Sequence, residues 1–350
     1  MNKTLLFLLL PGLLISCKTI IKKVNFRYFF RGSLYLLVIS FLLAGCEEEA
    51  SLSARSVVEA GETERERTDL DKWILDTFTR PYGIEVEYRW NKNAVQNGSY
   101  IYPPEVANVK SVLNTIKTLW IDLYTATELG GDKFLLGKNP LKIYMYGGRN
   151  VDGNGMELLD NLEATTNEMF LYNVNEFNPQ DEDKVFILMR SVHHQFARHL
   201  MELFPYDRSK FLSISRNKYI ESTKSIAWIF KGETQGHRGF ILAGYPNKKG
   251  FFTFHSLLSP EKDFAEIISL KLTYGPKDLL QALDKAKTPY NAGSDKDLQK
   301  EYDEQALQAY KELVEKQAFV EDYFSKEIKI SLNYLQLISM KQVKEFINKK

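Results

Sequence analysis

From Thr68 onward, hydrophobic positions follow two alternating periods. Leu70, Trp73, Ile74 and Phe78 fall at helical spacing behind Thr68, a good N-cap, and Arg80-Pro81-Tyr82-Gly83 stops the run. Residues 84–90 then alternate apolar and polar, as a half-buried strand does. Val109, Val112, Leu113, Ile116, Leu119, Trp120 and Leu123 line one stripe of a helix over 106–129, ended by Gly130-Gly131. Residues 141–146 and 169–172 read as short strands. The Gly-rich stretch 147–155 between them lacks a phosphate-binding spacing and is a turn-rich connection. Residues 181–203 are apolar almost all round, which predicts a long buried helix. Residues 209–230 read as helical in part, 231–250 as a Gly-rich loop of functional length, and 251–254 as a core strand. Ser259-Pro260 caps a helix to about Tyr274, and 277–288, 297–324 and 331–348 form amphipathic helices. Strands and helices come first and helices alone follow, so the fold class is α+β, with a helical C-terminal part. The chain shows no internal repeat.

The N-terminal pattern is different. The first 46 residues hold six Lys or Arg and no acid, around two apolar runs, 5–15 and 34–43. The second run ends Leu43-Ala44-Gly45-Cys46. A basic region, an apolar core and small residues describe a secretory signal, and the run is shorter than the roughly 20 apolar residues a membrane span needs. The following Cys resembles a bacterial lipobox, with Cys46 lipidated to give a membrane anchor. Leu14-Ile15-Ser16-Cys17 offers a second such string, with Cys17 as the alternative lipid site. Glu47-Glu48-Glu49 resembles an acidic outer-surface signal and reads equally as a solvated charge run. The organisation is then a signal peptide over 1–45, a polar tether over 46–68, a main domain over 69–290 and a C-terminal helical subdomain over 291–350.

Removing 1–45 takes away six basic and no acidic side chains, leaving 40 basic against 45 acidic. A mildly acidic chain argues against nucleic acid as a partner. With no Cys beyond Cys46 there is no disulfide framework, thiolate zinc site or Cys nucleophile.

The long helix carries the chemistry-bearing pattern. A zinc-peptidase helix needs His-Glu-x-x-His: two His one turn apart hold the metal, and the Glu polarises the attacking water. Here the frame reads His194-Gln195-Phe196-Ala197-Arg198. An amide stands at the general-base position and a guanidinium at the second ligand. Gln195 cannot act as a base near neutral pH, and Arg198 has no lone pair for a metal. His199 lies about 140° round the helix from His194 and His193 about 100° away, so neither shares its face.

Several strings resemble one family, the import-associated zinc metallohydrolase lipoproteins. They are Leu70-Asp71-Lys72-Trp73-Ile74, Arg80-Pro81-Tyr82-Gly83-Ile84-Glu85-Val86, Tyr102-Pro103-Pro104, His193-His194-Gln195-Phe196-Ala197 and Asp263-Phe264-Ala265-Glu266. The resemblance implies a zincin-like metallopeptidase fold with a small mixed sheet and an active-site helix. It implies zinc as cofactor, His194 as first ligand, and Glu266 as the acidic third ligand. It also implies a strand at 169–172 that pairs with an extended substrate, a peptide or glycan ligand, and a place at the outer membrane beside a TonB-dependent import complex. The family helix reads His-His-Glu-Phe-Ala-His, and this chain departs at Gln195 and Arg198. The expectation is therefore an inactive relative, with Arg198 replacing the metal by pairing with Glu266, that acts as a binding or accessory protein. The alternatives are a working metallohydrolase with rearranged ligands (His194, Glu266 and His255) and a purely structural surface protein.

Overall fold

Thr68 opens the fold as a reciprocal cap. Its hydroxyl accepts from the Asp71 amide at 3.2 Å, and the Asp71 carboxylate accepts from the Thr68 amide at 2.9 Å, which satisfies two of the donors a helix start leaves free. Helix α1 then runs through Asp69–Ile74, a π-helical turn at Leu75–Thr79, and Arg80–Tyr82. Gly83 closes it at φ +70°, a left-handed conformation that favours glycine. The computed structural model describes residues 67–89, 101–129, 131–160, 165–220, 222–229 and 244–348. The signal, most of the tether, Cys17, Cys46 and most of the loop expected at 231–250 lie outside the described residues. Residues 67–350 cluster as one compact unit.

Strand β1 is Glu85–Glu87, shorter than the alternation over 84–90 predicts, because only these residues pair with β2 at Lys142–Met145. β3 is Glu168–Leu171, and the order β1-β2-β3 is parallel throughout rather than mixed. Long connections between the strands allow each to re-enter in the same direction, which short hairpins would not. Ile143, Met145, Met169 and Leu171 join the main core. On the other face Tyr144 stacks on Phe170 and Tyr146 on Tyr172, with ring centroids 5.0 and 5.5 Å apart. Helix α2 follows β1, as Val106–Ile116, a π-helical turn at Lys117–Ile121, and Asp122–Tyr124. It buries the whole predicted stripe, each residue at 1% exposure or less.

The long helix is α3, Glu182–Leu203, started by Asp181, whose carboxylate accepts from the Asp183 and Lys184 amides. Arg208–Ile214 forms α4. Helix α5, Pro260–Thr273, begins at Ser259 as expected, is buried along almost its whole length and lies against α3. Residues 251–254 are fully buried but are not a strand. The Asn247 amide donates to the Phe251 and Phe252 carbonyls at 3.1 and 3.0 Å, so a side chain supplies bonds that a neighbouring strand would have given.

Helices α6 (Pro276–Lys287), α7 (Lys296–Tyr323) and α8 (Leu332–Asn348) complete the unit. Residues 291–350 do not build a core of their own. Leu313 and Val320 of α7 and Leu335 of α8 share one cluster with Phe264 and Leu270 of α5. A buried ion pair, Lys316 to Asp263 at 2.7 Å, ties α7 to α5. Among the described residues no helix is long and apolar enough to cross a membrane.

Candidate metal centre

Three α3 residues at one-turn spacing, Arg190, His194 and Arg198, together with Ser191 and Gln195, reach residues of α5 and of the segment before β3. Glu266 of α5 is fully buried, and both its oxygens are engaged. Arg190 donates to Oε2 at 2.5 Å, as does the Thr253 hydroxyl at 2.6 Å. His194 Nδ1 lies 3.0 Å from Oε1. Burial alone would raise the Glu266 carboxyl, but the Arg190 charge and the His194 hydrogen bond outweigh it and hold the group well below the usual carboxylate range. Glu266 is therefore ionised, and His194 Nδ1 must be the donor. His255 Nδ1 sits 3.4 Å from the same Arg190 nitrogen. Burial drives the His255 imidazole well below its ordinary value. Since arginine only donates, Nδ1 of neutral His255 accepts and its hydrogen sits on Nε2.

A second carboxylate occupies the next turn. Asp160 is buried, and Arg198 donates to its Oδ2 while Lys262 Nζ lies 3.4 Å from Oδ1. His194 Nε2 lies 3.9 Å from Asp160 Oδ2. Burial pushes the Asp160 carboxyl up, and Lys262, Arg198 and His194 reverse that shift, so the carboxyl is held low.

Gln195 fixes the same corner through its amide. Its Oε1 accepts from the Phe170 backbone amide at 2.8 Å. Its Nε2 donates to the Phe170 carbonyl at 2.8 Å, the Leu159 carbonyl at 3.0 Å and the Ser191 hydroxyl at 3.1 Å. Phe170 lies on β3, whose Leu171 carbonyl accepts from Tyr146 next to β2, so the Phe170 groups point to the open edge. The expected pairing of this edge with a substrate strand is replaced at Phe170 by a side-chain amide that satisfies the same two backbone groups.

Arg198 does not pair with Glu266, as the sequence suggested. Arg190 does, and Arg198 takes Asp160 instead. Eight residues, about two turns, separate the two arginines along α3, and Glu266 stands opposite the earlier one. The alternative ligand set also fails to form. His255 approaches Glu266, but the Arg190 guanidinium stands between them. His194 offers only Nε2, because Nδ1 is spent on Glu266. Among the described residues no group of three His, Cys, Asp or Glu is placed to hold a metal ion. The donor set does not fit zinc, which takes three or four such ligands. Of the other histidines, His193 is buried against Tyr124, and burial pushes it down to about 3.

Arg190 carries a signal in the sequence of its own. It is the one charged residue inside the apolar stretch 185–197, four positions before His194, and a buried guanidinium demands a buried carboxylate. Asp160 had none, lying in a loop 38 residues before Arg198.

A family described as "Putative zinc-binding metallo-peptidase" matches residues 63–333. The chain belongs to this family. The fold agrees: a crystal structure of a protein from Bacteroides caccae carrying the same description superposes with a TM-score of 0.55 at 18% identity, covering 80% of this chain and 95% of that one. No curated protein matches the chain. Membership of the zinc-binding metallo-peptidase family makes the departures at Gln195 and Arg198 informative. At the positions where family resemblance puts a base and a ligand, this member has built a hydrogen-bonded strand cap and an ion pair.

Proposed function

We propose that this chain is a lipid-anchored relative of the zinc peptidases that binds at its cleft without cleaving. The observation that carries the reading is the replacement of metal by cations: Arg190 neutralises Glu266, and Arg198 with Lys262 neutralises Asp160. Zinc between these carboxylates would meet three fixed positive charges and a single available imidazole nitrogen. Gln195 cannot take a proton from water, and both ends of its amide are occupied. No step of metal-assisted hydrolysis is available to such a set.

The remaining parts follow from the sequence. The Leu-Ala-Gly-Cys string supports lipidation at Cys46 and export, with the polar tether holding the folded unit away from the membrane. The resemblance to import-associated lipoproteins supports an accessory role beside an outer-membrane TonB-dependent import complex, with a peptide or glycan as cargo. The first test is metal content by mass spectrometry after incubation with zinc and dialysis. The reading expects no stoichiometric zinc and no chelator-sensitive peptide hydrolysis. About one zinc per chain, lost on His194→Ala, would overturn it.

A further inference from the structure

Beyond the replaced metal centre, a cavity of about 640 Å³ runs along the earlier turns of α3. That volume lies in the range of small-molecule sites, roughly 300–1,000 Å³. One wall is built by Tyr102, Gly148, Arg149, Glu157 and Asn173, each tied to the next. The Tyr102 carbonyl accepts from the Gly147 amide at 2.8 Å, and Pro103 after it disfavours a helical turn there. The Tyr102 ring lies across Gly147 and Gly148. A Cβ on either glycine would come within 2.6 Å of a ring carbon, so only glycine leaves room for it. The Gly148 carbonyl accepts from the Asn173 amide at 2.8 Å, with Asn173 in the left-handed region at φ +61°. From there the Asn173 side chain donates to Glu157 Oε1 at 2.9 Å, and Arg149 donates to Oε2 at 2.7 Å. Tyr102 belongs to none of the buried clusters and stays 49% exposed, beside an ion pair whose Arg149 and Glu157 side chains are 63% and 31% exposed. Two glycines and a left-handed asparagine thus fix a ring and a polar pair that the core does not use.

We propose that this wall is a recognition site for an uncharged sugar ring, with the ring's C–H face on Tyr102 and its hydroxyls at the Arg149–Glu157 pair. The inference rests on the binding role proposed above and narrows its ligand to a neutral glycan. A hydroxyl both donates and accepts, so neighbouring hydroxyls match a carboxylate and a guanidinium held side by side. An exposed tyrosine ring supplies the flat apolar surface that the C–H face needs. The outer wall offers no net charge, because Arg149 pairs with Glu157 and Lys184 lies 3.9 Å from Glu176. A charged ligand would therefore find no unbalanced opposite charge there. A hydrocarbon would cover the ion pair without bonding to it. An extended peptide would bring backbone groups to an edge where Gln195 already holds both Phe170 groups.

The experiment is binding of the purified full-length protein, in EDTA and a sugar-free detergent, to a printed array of neutral, acidic and amino-sugar glycans. The glycan retained best is then titrated by calorimetry. The expected result is stronger retention on neutral glycans than on charged ones. Tyr102→Ala is expected to weaken the titrated binding on the order of 10-fold, the weight of one aromatic contact. Thermal unfolding should not change, because the ring is half exposed. Tyr102→Phe keeps the stacking face and is expected to keep the binding. Retention of no neutral glycan, a preference for charged glycans, or binding unchanged in Tyr102→Ala would each overturn the proposal. Displacement of the glycan by an equal concentration of N-acetyl-trialanine amide would also overturn it, in favour of a peptide site. Zinc content is measured separately from this assay. A chain without zinc that retains no glycan loses the sugar site and keeps the reading of the metal centre, and stoichiometric zinc in a chain that does retain one has the reverse meaning.

Discussion

Restoring the missing base by Gln195→Glu should damage the fold and return no activity. Gln195 is 6% exposed, and the two hydrogens of its Nε2 are shared among three acceptors, Phe170 O, Leu159 O and Ser191 Oγ. A glutamate carboxylate keeps the bond accepted from the Phe170 amide but cannot donate at all. Each lost bond costs about 1 kcal/mol, and two carbonyls would also face an ionised oxygen. The sum is about 3–5 kcal/mol, a large share of the roughly 5–15 kcal/mol that holds a typical domain together. Protonation would relieve part of this, because a carboxylic acid donates once. The variant's deficit should therefore shrink as pH falls toward 5, in the opposite sense to the wild type. Urea unfolding at pH 7.5 and pH 5.5, followed by near-UV circular dichroism, measures both quantities. A variant within about 0.5 kcal/mol of wild type at pH 7.5 would refute the reasoning, since one lost bond already exceeds that.

Arg190→Met should destabilise by about 3–5 kcal/mol by stranding Glu266, and the double change Arg190→Met with Glu266→Leu should recover much of it. Chemical denaturation of the two variants decides this, and a double variant as unstable as the single would contradict the pairing. Arg198→Ala should cost only about 1 kcal/mol, because Lys262 still faces Asp160 and Arg198 is 24% exposed. A larger loss in the same assay would make Arg198 the main partner of Asp160. Stability should decline as pH drops below about 6.5, where an unfolded histidine takes up a proton and buried His193 does not. With His193 held at about 3, its contribution falls by about 2.7 kcal/mol by pH 4.5, and His255 adds a loss of the same sign. Asp160 and Glu266, held low, keep their contribution until the pH reaches about 4 and lose it below. A melting temperature flat from pH 7 to 5 would count against neutral buried imidazoles.

The hydrophobic periods determined a good deal by themselves. Thr68, Ser259 and Asp181 mark helix starts because capping is local, and the α2 and α3 stripes show a burial that any packing partner would have to respect. The broken motif at His194, Gln195 and Arg198 was equally legible, since the loss of a base and a ligand needs only residue identity. Local pattern also misled where backbone partners are supplied from elsewhere. Residues 251–254 look like a strand and are held by Asn247 instead. Tertiary structure alone decided which carboxylate meets which cation. Arg190 and Arg198 point to the same face of α3, and only the placement of α5 and of the segment ending at Asp160 gives Glu266 to the first and Asp160 to the second. Charge pairing acts through space over a few ångströms, and neither position in sequence nor periodicity encodes that distance.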